Sequence, residues 1–276
     1  MTLPYHDPVP VSDAERKRYL AAAEAAADAA RAITLAHFRQ TLAVDNKAGE
    51  AGFDPVTIAD RDAETAIRAV LAERTPDIGF YGEEHAPSTD GNGLVWVVDP
   101  IDGTRAFVSG MPMWGTLIGL YDGRDAILGL MDQPPLDERF MAADGLGATL
   151  LCGGKRESLH ARADTCLADA TFYCTTPDMF TDATARAAFE RVRDASTLVR
   201  YGGDCYAYAL LALGFVDVVL DCDLKPFDIM ALIPLLREAG GEVSNWQGES
   251  AVDGGYVLAT ANAALHHEVL TLLADN

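Results

Sequence analysis

The sequence is poor in positive charge. Its 276 residues carry 21 Lys and Arg against 42 Asp and Glu, a formal net charge of −21. That excess excludes nucleic acid and an anionic membrane surface as general partners. An anionic substrate has to be met by bound cations or by a local reversal of sign. The five cysteines (Cys152, Cys166, Cys174, Cys205 and Cys222) include no Cys-x-x-Cys pair and are odd in number. This argues against a zinc site and a disulfide frame, and predicts free buried thiols in a reducing compartment. No apolar run is long enough to cross a bilayer, and residues 1–10 lack the pattern of a secretory signal. The expectation is a cytoplasmic protein without a membrane partner. Internal repeats and low-complexity linkers are missing too. The six histidines share no spacing. His37 reads as a structural or exposed residue of a helix, and His266-His267 as a solvated helix face.

What remains is ordinary globular material, 49% hydrophobic and 23% charged. The length is ample for a real core, in one large domain or two closely joined halves. Ser12-Asp13-Ala14-Glu15 is a capping box that opens an Ala-rich helix reaching about residue 38. Residues 54–60 open a second helix, with Ala63, Ile67, Val70 and Leu71 as its apolar stripe. Short strands are predicted at 78–81 and 96–98. Paired apolar runs at 114–121 and 126–131, then 138–142 and 148–151, are separated by Asp122-Gly123 and Asp144-Gly145 and read as antiparallel hairpins. Residues 155–169 are polar and read as the link between halves, which divides the chain into 1–152 and 153–276. Beyond it, strands at 171–174, 198–201, 216–220, 242–244 and 256–260 alternate with helices at 182–192, 205–213, 226–239 and 263–273. Gly240-Gly241 closes the third of these helices. The alternation predicts a layered α/β half.

Acidic residues gather at a few junctions. Trp96-Val97-Val98 leads straight into Asp99-Pro100-Ile101-Asp102-Gly103-Thr104. The residue before a proline is pushed away from helical geometry, so a sharp turn is expected, with Asp99 at the strand tip and Asp102 on the turn. Two acids on one rigid corner repel unless a proton or cation lies between them. Hard divalent cations take such oxygen ligands. Asp-Pro and Asp-Gly are also ordinary turn chemistry. Asp60 falls in the first turn of the second helix, where the helix dipole alone favours an acid. Glu83 and Glu84 end a strand, either in a solvated loop or with one carboxylate turned inward to a cation. Asp228 stands in the first turn after Pro226, and Asp221 and Asp223 lie just before it.

Taken together these stretches spell a family pattern. Pro55-Val56-Thr57-x-Ala59-Asp60, Gly82-Glu83-Glu84, Asp99-Pro100-Ile101-Asp102-Gly103-Thr104, and Phe227-Asp228 before Ala239-Gly240-Gly241 occur in that order. The chain closely resembles the inositol monophosphatase superfamily of Mg2+-dependent, lithium-sensitive phosphatases, over nearly its whole length. Within it, Arg105-Ala106-Phe107, Trp114 to Ile118, Glu138-Arg139-Phe140, Arg200 to Tyr206 and Leu224 to Asp228 resemble the histidinol-phosphate phosphatase branch, which would place the chain in histidine biosynthesis. The resemblance implies an αβαβα sandwich of the inositol monophosphatase/fructose-1,6-bisphosphatase type.

It also implies roles. Glu83, Asp99 and the carbonyl of Ile101 would bind one Mg2+. Asp99, Asp102 and Asp228 would bind a second, and Asp60 with Glu83 would hold a looser third. Mn2+ is the expected substitute ion. Asp60, Thr104 and Glu83 would be catalytic, and Asp102, Gly103 and Thr104 would bind phosphate. Gly203, Asp204 and Asp221 would meet the leaving alcohol, with Arg200 beside these acids. The implied partners are a small phosphorylated metabolite and a second copy in a homodimer. Inositol 1-phosphate, a nucleotide 3′-phosphate or a sugar bisphosphate are alternative substrates. A regulatory protein on the same fold is the reading from another class. Two departures stand out. The family's Lys-x-Asp-x-Ser-Pro-Val-Thr loop is longer here, with Gly49 two residues after Lys47 and Asp54 in place of Ser, and its Trp before the last metal Asp is Phe227. The first puts the role of Lys47 and of the 49–53 loop in question.

Overall fold

A computed structural model describes residues 3–41, 44–46, 55–88 and 90–274. Lys47, the 49–53 loop and Asp54 lie outside these residues.

Helix α1 (Asp13–His37) starts at the expected capping box, Ser12 and Glu15 bonding each other reciprocally. Its buried alanines 22, 23, 26, 27 and 30 let it lie close against α2 (Ile58–Arg74). Between them come two short paired strands, β1 (Asp45–Asn46) and β2 (Pro55–Val56). A seven-stranded sheet follows in sequence order: β3 (Gly79–Gly82), β4 (Val95–Asp102), β5 (Gly115–Tyr121), β6 (Ala126–Gln133), β7 (Glu138–Ala143), β8 (Gly147–Cys152) and β9 (Lys155–Ser158). Helix α3 (Thr104–Ser109) leaves the end of β4. The five-stranded sheet has the order β11-β10-β12-β14-β13. Its elements along the chain are β10 (Thr171–Cys174), α4 (Ala183–Ala195), β11 (Leu198–Tyr201), α5 (Cys205–Ala212), β12 (Val218–Leu224), α6 (Pro226–Ile229), α7 (Leu232–Glu238), β13 (Glu242–Asn245), β14 (Gly255–Thr260) and α8 (Ala263–Ala274).

The layers follow from alternation along the strands. In β4, Trp96 and Val98 join the core under α1 and α2, whereas Val95 and Val97 join the core around α5 and α7. The far face of the second sheet packs on α4 and α8 through Phe172, Phe189, Leu258 and Val269. The result is the expected αβαβα sandwich, with α5, α6 and α7 as the middle layer. That layer approaches closely because Gly119 and Gly129 pair across β5 and β6. A Cβ on Gly129 would sit 1.8 Å from the carbonyl oxygen of Ala231.

Several expectations are corrected. The strand at 96–98 does not turn sharply at Asp99; it continues to Asp102. Residues 155–169 are not all link. Lys155–Ser158 is an edge strand, joined to β8 by Gly153-Gly154 with Cys152 paired to Lys155. Its four polar residues hid it, although Gly-Gly between strands is a hairpin signal. The helix at 226–239 divides into α6 and α7. Pro234 has no N–H to give Met230, four residues earlier, so the ladder breaks there. His266 is not solvated: it is 8% exposed, bonded to Ser244 and Thr260, with burial lowering its pKa to about 4. All five cysteines are free, but Cys152 and Cys166 are exposed. No helix among the described residues is long and apolar enough to cross a membrane.

Candidate active site

The site is built on a β-bulge. Asp99 pairs with Leu117 and Asp102 with Gly115, so three steps along β4 match two along β5. In a regular strand, residues three apart face opposite sides. The extra residue puts both aspartates on one side, toward the middle layer. Pro100 can sit there because a bulge does not need its missing N–H. Its carbonyl accepts from Thr116 Oγ1 at 2.8 Å. The Asp99 carboxylate accepts the Ile101 N–H at 2.9 Å, which tightens the corner. Beneath it lies an apolar floor of Ala59, Ile101, Phe107 and Trp114, with Phe38 against it.

The middle layer closes the cluster. Asp228 accepts the Lys225 N–H at 2.7 Å at the start of α6. Asp102 accepts the Cys205 N–H at 2.8 Å, which ties β4 to the first turn of α5. Asp99, Asp102 and Asp228 each offer an oxygen within 4.8 Å of the others. Glu83 follows β3, and its N–H bonds to Val98 O at 3.2 Å, level with Asp99 because β3 and β4 run parallel. Burial, then Glu83, Asp102, Asp228 and Asp60, push the Asp99 pKa well above the usual carboxylate range. Burial raises Asp102 to about 6, against the Cys205 bonds that lower it. Burial and Asp102 likewise raise Asp228. Hard oxygen donors converging under mutual repulsion are the donor set a divalent cation fits, because its charge reverses each of these shifts.

Asp60 and Thr104 form a second unit. Asp60 Oδ2 accepts the Thr57 N–H at 2.8 Å and the Thr57 hydroxyl at 2.6 Å, a second capping box, here buried. That leaves Oδ1 turned to Thr104 Oγ1 at 3.5 Å. The Thr104 hydroxyl donates to Ile101 O at 3.0 Å, so that carbonyl keeps one lone pair. Gly103 has φ +82°, and a Cβ there would meet Met113 O at 2.8 Å and Asp204 Cβ at 3.2 Å. Of the trio expected to bind phosphate, Asp102, Gly103 and Thr104, Gly103 therefore lies directly against Asp204.

The residues expected to meet the alcohol fare differently. Asp204 precedes α5 with φ +43° and ψ −143°, a strained conformation for a non-glycine residue. Burial, then Asp102 and Asp221, raise its pKa to about 8, with Arg105 opposing. Asp221 is 1% exposed and satisfied from within: it accepts from Thr175 N–H at 2.7 Å, Tyr208 Oη at 3.0 Å and Thr175 Oγ1 at 3.3 Å. Gly203 is buried against Ala207 and Tyr173. Arg200 is exposed on edge strand β11 opposite Tyr173, and the described residues show no ion pair between it and Asp204 or Asp221. Sequence reasoning included Thr57 in the family pattern but gave it no role, although its three-residue spacing to Asp60 is the same capping signal recognised at Ser12. It missed Glu64, an acid beside the apolar stripe of α2.

Comparison with known proteins gives the family and the fold. The sequence model of the inositol monophosphatase family matches residues 15–276. The chloroplastic bifunctional phosphatase IMPL2 of Arabidopsis thaliana is 38% identical over 96% of this chain and 78% of its own. A histidinol-phosphatase of Mycobacterium tuberculosis is 36% identical over 90% of this chain and 95% of its own. A solved inositol monophosphatase of Zymomonas mobilis superposes with TM-score 0.82 at 35% identity, covering 95% of this chain and 99% of that one.

Proposed function

The chain belongs to the inositol monophosphatase family of phosphatases, and from that premise we propose that it is a Mg2+-dependent phosphomonoesterase that hydrolyses L-histidinol phosphate to L-histidinol and phosphate. The observation that carries the choice of alcohol is Asp204, a half-buried carboxylate lying against Gly103. An acid at that point suits an alcohol bearing an ammonium and an imidazole better than a neutral polyol. The similar histidinol-phosphatases support the same choice. The homodimer and the cytoplasmic location expected above belong to this reading.

Glu83, Asp99, Asp102, Asp228, Asp60 and the Ile101 carbonyl would hold Mg2+. Bound there, it supplies charge for the phosphate oxygens and the leaving alkoxide and lowers the pKa of water. The chain's own residues do the rest. Thr57 occupies one oxygen of Asp60, so the other faces the Thr104 hydroxyl. When the Thr104 hydroxyl turns from the Ile101 carbonyl to Asp60 Oδ1, a water bonded to Thr104 Oγ1 can pass its proton through that hydroxyl to Asp60 as it attacks. The new O–P bond forms as the P–O bond to the alcohol breaks, with no covalent enzyme intermediate. Gly103 keeps the backbone in its φ +82° turn, where a Cβ would run into Met113 O and Asp204 Cβ, and so presents the N–H groups of this turn to phosphate. Inversion at phosphorus in a chiral thiophosphate ester is the expected outcome, and retention would overturn direct attack.

The deciding experiment is phosphate release by the purified protein with Mg2+ from histidinol phosphate, inositol 1-phosphate and adenosine 3′,5′-bisphosphate, with Asp99→Asn as control. The expectation is a preference for histidinol phosphate of at least about tenfold in kcat/KM, or about 1.4 kcal/mol, abolished in the variant. A preference for another ester would keep the chemistry and replace the substrate. No release from any, with no Mg2+ binding, would favour a regulatory protein on the same fold.

A further inference from the structure

One turn beyond Asp60 on α2 lies Glu64, four residues on and therefore on the same helix face. Its side chain is fully buried, although no role above uses it. Glu64 Oε2 accepts the Glu84 N–H at 2.6 Å, and Oε1 accepts the His85 N–H at 3.1 Å. The His85 ring at 3.1 Å and Arg68 at 3.5 Å reach the same oxygen. On the other side of Glu83, the backbone comes so near that a Cβ on Gly82 would lie 2.4 Å from the Glu64 carboxylate. The turn is thus held on both flanks of Glu83. Gly82 is fixed by contact, and Glu84 and His85 by their amides.

Both Glu64 oxygens are taken up by N–H groups of the turn, and Arg68 answers the charge, so this buried carboxylate holds backbone rather than merely filling space. It thereby anchors a turn carrying two adjacent acids, Glu83 and Glu84. We infer that Glu64 is a positioning residue that aims Glu83 into the acid cluster and thereby sets the affinity of the site for divalent metal. This rests on the reading of Glu83 as a metal ligand. The partners that orient ligands commonly govern metal affinity in this way.

The test titrates Mn2+ into metal-free protein and follows free Mn2+ by electron paramagnetic resonance, for the wild type, Glu64→Gln and Gly82→Ala. Gln keeps the shape and loses an acceptor for the amides. Ala leaves the carboxylate present and displaces it. Both should bind Mn2+ roughly ten- to a hundredfold more weakly, and phosphate release by both should recover as Mg2+ is raised. A merely structural Glu64 would lower the unfolding midpoint in EDTA and leave Mn2+ affinity unchanged, and that result overturns the inference. If Glu64→Gln does not fold, Gly82→Ala decides by the same measure. A wild type that takes up no Mn2+ would overturn the phosphatase reading itself, an outcome distinct from equal affinity in all three proteins.

Discussion

The two sheets carry the same device to different ends. β4 bulges between Asp99 and Asp102 against β5, and β12 bulges between Asp221 and Leu224 against β14. Each bulge follows a buried aspartate. In β12 the carboxylate of Asp221 is surrounded by donors from Thr175 and Tyr208 of its own half. In β4 the carboxylates of Asp99 and Asp102 each take one backbone donor and then face Glu83, Asp228 and each other. Burial raises the pKa at both places. The difference lies in what answers the charge. Protein donors answer it in β12, whereas in β4 it is left to a proton or, on the proposed function, to a cation. Buried acids are thus sorted by their partners rather than by their depth.

One substitution made at both bulges should give opposite signs. Asp99→Asn should cut phosphate release about a thousandfold, or roughly 4 kcal/mol of lost transition-state stabilisation. In EDTA the same change should raise the unfolding midpoint, because one member of a repelling set becomes neutral. A lower midpoint would mean that the acids are not under strain. Asp221→Asn should instead lower stability by about 1–3 kcal/mol, because its amide faces groups that need an acceptor. Urea unfolding of both variants measures the contrast.

Acidity sharpens the same comparison. Asp102 is raised to about 6 and Asp204 to about 8, with Asp99 and Asp228 also raised, all mainly by burial. Each group keeps its proton to higher pH in the folded chain than in the unfolded one, so the folded state binds more protons. The contribution of these four groups to the stability of the metal-free protein is therefore full below about pH 4, the unfolded carboxylate value, and is lost as pH rises through 6 and 8. Thermal unfolding in EDTA at pH 5 and pH 8 should show the drop, and Mg2+ should remove most of it. A midpoint in EDTA that does not move with pH would contradict the buried cluster.

Smaller effects separate function from fold. Asp204→Gly should relieve the φ +43° conformation and raise stability by about 1–2 kcal/mol. It should also raise KM for histidinol phosphate more than for inositol 1-phosphate; an equal rise would detach Asp204 from the choice of alcohol. The two capping boxes form the last pair. Ser12→Ala should cost about 1 kcal/mol and leave kcat untouched. Thr57→Val should cost a similar amount and also lower kcat, because Asp60 loses the hydroxyl that holds it.

Much of this was legible because periodicity and caps are local. The α1 capping box and the hairpin strands from Gly115 to Cys152 could be read from neighbours in the chain, whereas the acids at residues 60, 83, 99, 102 and 228 stood out as a set only through the family pattern. The misreadings share a cause. Lys155–Ser158 is polar on both faces and is a strand only because β8 offers it partners. The break between α6 and α7 needs Pro234 and a glycine trough formed by two distant strands. His266 is buried by Ser244 and Thr260, which no helical pattern announces.

The sequence by itself determined the residue types, the order of the motifs, the family and the need for a counter-charge. These depend on composition and on spacing along the chain. Only the tertiary structure decided that Asp99 and Asp102 share a face, that Asp221 spends its oxygens on Thr175 and Tyr208 while Asp204 lies over Gly103, and that Glu64 clamps the turn bearing Glu83. Those outcomes depend on strand register and on which donors arrive from remote segments. A single extra residue in a strand reverses a side chain's direction, and nothing in the local sequence says whether the partner strand will accommodate it.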